Sequence, residues 1–144
     1  MDPSIPTLWS PIPGGITTPL GFEAAGIKAG LKDSGKLDLA LLLAPRETIC
    51  SGTFTQSSTR AACIDLCKDR LEAGSGRIRS VLINSGQANA FTGDRGWIDS
   101  LRATKAVADQ LGLMLWEEVP VYWNIDWDNS NTLNIAKNQI TRLV

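Results

Sequence analysis

Two asparagines, a serine and a glycine stand close together in Asn84-Ser85-Gly86-Gln87-Ala88-Asn89, directly after the aliphatic run Val81-Leu82-Ile83. Amide and hydroxyl side chains donate and accept hydrogen bonds without titrating near neutral pH, so the chemistry open to them is the orientation of a polar ligand. Gly86 lets the backbone take dihedrals closed to other residues and lets a ligand approach closely. Asn84, Ser85, Gly86 and Asn89 are therefore the candidate substrate-binding residues. The alternative is that these side chains bond their own turn, as Asn and Ser at a strand end commonly do. A third reading makes the loop an anion cradle of backbone amides, but its spacing matches neither glycine-rich phosphate fingerprint.

Acid–base and nucleophilic chemistry is sparsely provided for. The 144 residues include no His, which removes the commonest general base, the Ser-His and Cys-His nucleophile pairs and most zinc sites. Thr53, Thr55 and Ser85 carry hydroxyls without a His to activate them, so local hydrogen bonding is the expected role of each. Cys50, Cys63 and Cys67 are an odd number with no C-x-x-C spacing. Cys63 and Cys67 lie one turn apart on a helical stretch and read as buried free thiols of a reducing compartment, rather than as a metal or redox pair. Residue types alone thus assign no catalytic residue, no metal ligand and no cofactor.

Charge and length narrow the partners. Lys plus Arg number 14 against 15 for Asp plus Glu, a formal net charge of -1, so no global field draws the chain to nucleic acid or to anionic lipid. No apolar run approaches the roughly 18 residues of a membrane span, and the start Met1-Asp2-Pro3 is acidic and proline-broken rather than basic and then apolar. The expectation is a soluble, cytosolic protein. By length it is one domain, able to bury about two thirds of its unfolded surface.

The elements that must position the loop follow from patterning. Residues 1 to 20 hold five of the seven prolines and read as an extended lead-in pinned by Trp9. Residues 21 to 32 are too glycine-rich for a helix and read as one or two short strands, with Asp33-Ser34-Gly35-Lys36 as a turn. Asp38-Leu39-Ala40-Leu41-Leu42-Leu43-Ala44, stopped by Pro45, has the length of a buried strand. Ile49-Cys50-Ser51-Gly52-Thr53-Phe54-Thr55 shows the β-branched and aromatic enrichment of another. Residues 60 to 72 read as an amphipathic helix with its N-cap among Ser57, Ser58 and Thr59. Its packed face is Ala61, Ile64, Cys67, Lys68 and Leu71, and Gly74 is its stop. The run 80 to 84 wants burial on both faces of a central strand. A second helix over 97 to 111 packs through Trp97, Leu101, Lys105, Val107, Ala108 and Leu111, with Thr92 or Asp94 as cap and Gly112 as stop. Strands alternating with helices indicate an α/β or α+β domain.

From about residue 8 to 113 the sequence resembles the bifunctional ornithine acetyltransferase and glutamate N-acetyltransferase family of arginine biosynthesis. The resemblance is carried by Gly21-Phe22-Glu23-Ala24-Ala25-Gly26-Ile27-Lys28-Ala29-Gly30-Leu31-Lys32, Asp38-Leu39-Ala40-Leu41, Gly52-Thr53-Phe54-Thr55 and Asn84-Ser85-Gly86-Gln87-Ala88-Asn89-Ala90-Phe91-Thr92-Gly93. Phe91 stands where the family usually has Cys, and Ser57 where it often has Asn. The resemblance implies an αββα sandwich and a self-processing enzyme, cleaved before a Thr that becomes the N-terminal nucleophile of a second (beta) chain, in a heterotetramer of two chain types. It implies transfer of acetyl from N-acetylornithine, or from acetyl-CoA, to glutamate through an acetyl-enzyme. A terminal amine can serve such a nucleophile as base, which suits a chain without His. A Ser-Thr-Gly oxyanion motif and a later Ala-Thr-Met-Leu-type nucleophile motif complete the family pattern.

Neither motif occurs in these 144 residues. Residues 114 to 144 contain no Gly, but five of the chain's seven Asn and three of its five Trp. The expected organisation is therefore an N-terminal part of the acetyltransferase domain over 1–113 and a divergent tail over 114–144. Val121-Tyr122-Trp123-Asn124 can be encoded GTC TAC TGG AAY, and a shift of one nucleotide reads TCT ACT GGA, Ser-Thr-Gly. A frameshift between about Gly112 and Val121 is the resulting expectation. The alternative is a genuine segment, with an alternating strand around 116 to 127 and a short helix over 133 to 143. In function, the chain reads as an N-terminal fragment of the acetyltransferase, inactive alone. The alternative is a non-catalytic binding or assembly protein that pairs with a full-length homologue.

Overall fold

The structure is a computed structural model and describes residues 10–46, 48–86, 90–113 and 121–122. Trp9, Asn89 and most of the tail lie outside the described residues. Four strands form one sheet in the order β1-β2-β3-β4: β1 Glu23–Ile27, β2 Leu39–Leu43, β3 Ser80–Asn84 and β4 Val121–Tyr122. The first three are antiparallel neighbours, with Ala25 opposite Leu41 and Leu41 opposite Leu82. β4 lies parallel to β3, with Val121 opposite Leu82. Two helices accompany the sheet, α1 Ala62–Ala73 and α2 Gly93–Leu111. Among the described residues no helix is long and apolar enough to cross a membrane. The mixed α/β class expected from the sequence is the class observed.

Strand periodicity decides what is buried. Leu39 and Leu41 on β2 and Leu82 on β3 share one face and are almost wholly buried, as cross-strand partners two residues apart must be. Against them pack Ala103, Ala106, Val107 and Ala108 of α2, with Ile27, Leu31 and Leu43 at the margin. Each fully buried Leu contributes about 1.5–3 kcal/mol relative to its exposed state. The opposite face of β3 is not sealed: Val81 is half-buried and Ile83 is 40% exposed. Burial on both faces, expected from the run of branched residues, is thus realised on one face only.

The contact face of α2 keeps Val107 and Ala108 of the expected one and otherwise differs from it. The buried positions are Gly96, Asp99, Ser100, Ala103, Thr104, Ala106, Val107 and Ala108, whereas Lys105 is exposed and Trp97, Leu101 and Leu111 are half-buried at the flanks. Small residues let the helix axis approach its neighbours, and the polar ones are satisfied internally. Ser100 Oγ donates to the Gly96 carbonyl at 2.8 Å, and Thr104 Oγ1 donates to the Leu101 carbonyl at 2.7 Å, the back-bonding open to a mid-helix hydroxyl. Asp99 is reached by Arg102 at 3.3 Å and Arg95 at 3.6 Å.

Helix ends follow the sequence only in part. Gly112 closes α2 in the left-handed conformation, φ 63°, and Gly74 is the C-cap of α1. At the start of α1 the N-cap position belongs to Ala61, with no side-chain cap. Ser57 and Thr59 bond one another instead, the Thr59 N–H donating to Ser57 Oγ at 3.3 Å. Residues 49 to 55 are not a strand. Ile49 makes an isolated bridge with Arg77, and residues 51 to 55 run largely exposed with no neighbouring strand to pair them. β-Propensity without a partner leaves irregular chain.

Candidate functional site

The inner face of β3 is apolar in the middle and polar at both ends. Ser80, Leu82 and Asn84 point the same way, and their relative exposures are 0%, 1% and 3%. Among the described residues neither Nδ2 nor Oδ1 of Asn84 has a hydrogen-bond partner, and neither has Ser80 Oγ. A desolvated amide with no partner costs about 1–3 kcal/mol, so Asn84 is held in a state that a polar ligand group or another polar segment would relieve. A cavity of about 170 Å³ beside the strand end is lined by Gly26, Leu37, Ala40, Ile83, Asn84 and Ser85 among others; it opens on the face of Ala40 and Ile83, whereas the Asn84 amide faces inward.

What fixes the strand end is Asp38, at the head of the apolar run that forms β2. It is 3% exposed, and its carboxylate accepts three backbone N–H groups: Ala29 at 2.6 Å, Leu31 at 2.6 Å and Lys32 at 2.9 Å. Charge-assisted bonds of this kind are about twice as strong as neutral ones. They fold the connection between β1 and β2 back onto its own strand. The Asp38 carbonyl then accepts the Ser85 N–H at 2.8 Å, so the β1–β2 connection and the candidate loop are joined through one residue. Gly86 follows with φ 141°, and a Cβ there would lie 2.8 Å from the Leu31 carbonyl oxygen. Only glycine allows the loop to lean this closely on the β1–β2 connection.

The candidate residues are therefore partly gathered. Asn84 is buried, and Ser85 and Gly86 are exposed beside it. Asn89 lies outside the described residues. The signal for Asp38 was available: an acid at the start of a strand, after a glycine-containing connection, is placed to accept the N–H groups of that connection.

A second concavity, about 720 Å³, opens between the N-terminal ends of α1 and α2. An isolated bridge between Ala61 and Ala90 ties the approaches to the two helices together. The wall carries the Arg60–Asp65 ion pair, 2.7 Å, and Phe91, which is 81% exposed with φ 61°. Nothing in the sequence singled out this cleft. Of the hydroxyl candidates, Thr55 Oγ1 accepts the Ser57 N–H at 3.2 Å, and Thr53 is exposed.

The cysteines are thiols rather than disulfides, Cys63 and Cys67 buried and Cys50 half-buried. Burial, with the neighbouring thiols of Cys63 and Cys50 adding to it, pushes the Cys67 thiol up to about 12. A thiol so shifted is neutral at physiological pH and a poor nucleophile. Among the described residues no group of three or more potential ligands is arranged for a metal ion.

Fold and loop together define a mixed α/β domain with a polar, glycine-containing loop after the central strand β3. The family model described as "ArgJ family" matches residues 23–122, and the chain belongs to that family. The arginine biosynthesis bifunctional protein ArgJ of Prochlorococcus marinus (strain MIT 9313) is 64% identical over 110 residues, and that of Parasynechococcus marenigrum (strain WH8102) 67% over 105. These alignments cover 76% and 73% of this chain but 26% of each relative, so the chain spans about a quarter of their length. Among solved structures, the ornithine acetyltransferase of Mycobacterium tuberculosis complexed with ornithine is 33% identical with a TM-score of 0.76, covering 90% of this chain and 68% of that one. The ArgJ protein of Bacillus halodurans is 26% identical with a TM-score of 0.73, covering 91% and 67%.

Proposed function

We propose that this chain is the N-terminal portion of an arginine-biosynthesis acetyltransferase, one that moves acetyl from N-acetylornithine, or acetyl-CoA, to glutamate through a Thr acetyl-enzyme. The observation that carries the reading is the 64% identity to an ArgJ protein over 110 residues. The ornithine held by the structurally similar mycobacterial protein is the kind of polar ligand that Asn84 and its loop suit. In this reading Asn84, Ser85, Gly86 and Asn89 orient substrate. The Ser-Thr-Gly oxyanion motif, and beyond it the Thr nucleophile that heads a second chain, come from sequence these 144 residues do not contain. Alone, the chain turns over nothing.

Residues 114–144 are read as out-of-frame translation, and the coding DNA read in the shifted frame tests it. Ser-Thr-Gly followed by an Ala-Thr site supports the frameshift, and their absence refutes it. The enzymatic reading is tested by following labelled acetyl from N-acetylornithine to glutamate. The assay uses the purified chain and a chimera of the Prochlorococcus relative that carries residues 23–113 of this chain. An inactive chain and an active chimera are expected. A folded but inactive chimera overturns the reading, as does turnover by the chain alone. If the inactive chain co-purifies with an intact ArgJ protein, the second reading, a non-catalytic assembly partner, takes its place.

A further inference from the structure

Away from the candidate loop, the chain leaving β2 turns back along the approach to β3. The Ala44 N–H donates to the Arg79 carbonyl at 2.8 Å, the Cys50 N–H to the Gly76 carbonyl at 2.7 Å and the Ile78 N–H to the Thr48 carbonyl at 3.5 Å. This antiparallel pairing brings Arg46 beside Arg77 and Arg79. All three line one cavity of about 210 Å³, together with Gly74 and Ser75 at the end of α1. Taking roughly 30 Å³ as one water's share of liquid volume, the space holds several waters or one small polyatomic anion.

The charges in this cavity are unbalanced. The ion pairs of the described residues join Arg60 to Asp65, Arg95 and Arg102 to Asp99, and Lys105 to Asp109. None of Arg46, Arg77 and Arg79 pairs with a carboxylate among the described residues. The Nε of Arg79 is buried with no hydrogen-bond partner among the described residues, and a buried guanidinium donor is costly to leave unmet. The carbonyls at the end of α1 do not meet the need. Those of Arg70, Leu71 and Glu72 are taken by the N–H groups of Gly74, Gly76 and Ser75.

We propose that Arg46, Arg77 and Arg79 form a binding site for a small phosphate-bearing anion, separate from the candidate loop and independent of the acetyl-transfer reading. Guanidinium forks bind phosphate and carboxylate alike. Three forks from two chain segments favour a tetrahedral group, whose oxygens face several directions, over a planar carboxylate, whose two oxygens share a plane. Ser75 adds a hydroxyl to the cavity wall.

The test is calorimetric titration of the full chain with sodium pyrophosphate, with sodium citrate and sodium chloride as comparison arms, all at one fixed ionic strength. The site predicts saturable 1:1 binding of pyrophosphate, with citrate and chloride weaker. R46Q and R77Q alter exposed side chains, and each is expected to weaken binding about tenfold, the loss of one charge-assisted contact. K36Q removes one positive charge elsewhere on the surface and is expected to leave binding unchanged. If R77Q does not fold, R46Q gives the same reading. The proposal is overturned by the absence of saturable pyrophosphate binding, by equal affinity for citrate, or by a K36Q loss as large as that of R46Q.

Discussion

Ser85 donates its backbone N–H to the carbonyl of Asp38 at 2.8 Å, and through that bond the loop after β3 inherits the rigidity of the connection between β1 and β2. The Asp38 carboxylate holds the connection by three backbone N–H groups. Its replacement strands those donors in a buried place. Asp38→Ala is expected to cost about 3 kcal/mol or more, read as a lower urea midpoint. Asp38→Asn, which keeps an acceptor oxygen, is expected to cost less. A midpoint unchanged in Asp38→Ala would contradict the role given to the carboxylate.

Gly86 and Gly30 separate steric clash from backbone strain. Both have positive φ, 141° and 85°, but a Cβ at 86 meets the Leu31 carbonyl oxygen at 2.8 Å, whereas one at 30 meets nothing within 4 Å. Gly86→Ala is expected to destabilise by about 2–3 kcal/mol and Gly30→Ala by about 1 kcal/mol. Equal thermal shifts in the two variants would show that the loop does not lean on residue 31.

The Cys67 thiol sets an alkaline limit to stability. Its folded value, about 12, lies above the ordinary 9.0, so between these values the unfolded chain loses a proton that the folded chain keeps. Stability from this group is complete below pH 9 and falls as pH rises toward 12. Subtracting the unfolding free energy of Cys67→Ala from that of the parent chain across this range is expected to give a falling difference. A flat difference would contradict the assignment. At pH 8, iodoacetamide should modify half-buried Cys50 before Cys63 or Cys67, as peptide mass mapping would show.

The sequence made much of this architecture legible, for reasons that differ by element. β2 and β3 announce themselves because aliphatic runs of that length, closed by Pro45 and by the Asn-Ser-Gly loop, have few other uses. α1 and α2 were found because Gly74 and Gly112 end them unambiguously. Helical periodicity traced through the largest residues of α2 points to Trp97, Leu101 and Leu111, which lie only half-buried at the flanks. The helix packs through the expected Val107 and Ala108, and also through Gly96, Ser100 and Ala103, whose value is their small size. The strand expected around Ile49 failed because propensity does not supply a partner. Asn84 is legible as a candidate by residue type, but its unmet amide belongs to tertiary structure.

Asn84 itself gives opposite signs in two settings. Its amide is buried with no partner among the described residues, so Asn84→Leu removes a desolvation penalty and is expected to leave the isolated chain as stable or more stable by about 1 kcal/mol. A clear drop in the urea midpoint would mean that the amide is satisfied in solution.

The most direct test of the account is the acetyl-transfer rate of the Prochlorococcus chimera carrying residues 23–113 of this chain, compared with the same chimera bearing Asn84→Leu. The account predicts an active parent chimera and a folded variant whose KM for N-acetylornithine rises about tenfold or more, the loss of one polar ligand contact. Undiminished transfer by the Asn84→Leu chimera would contradict the placement of the substrate site at the end of β3.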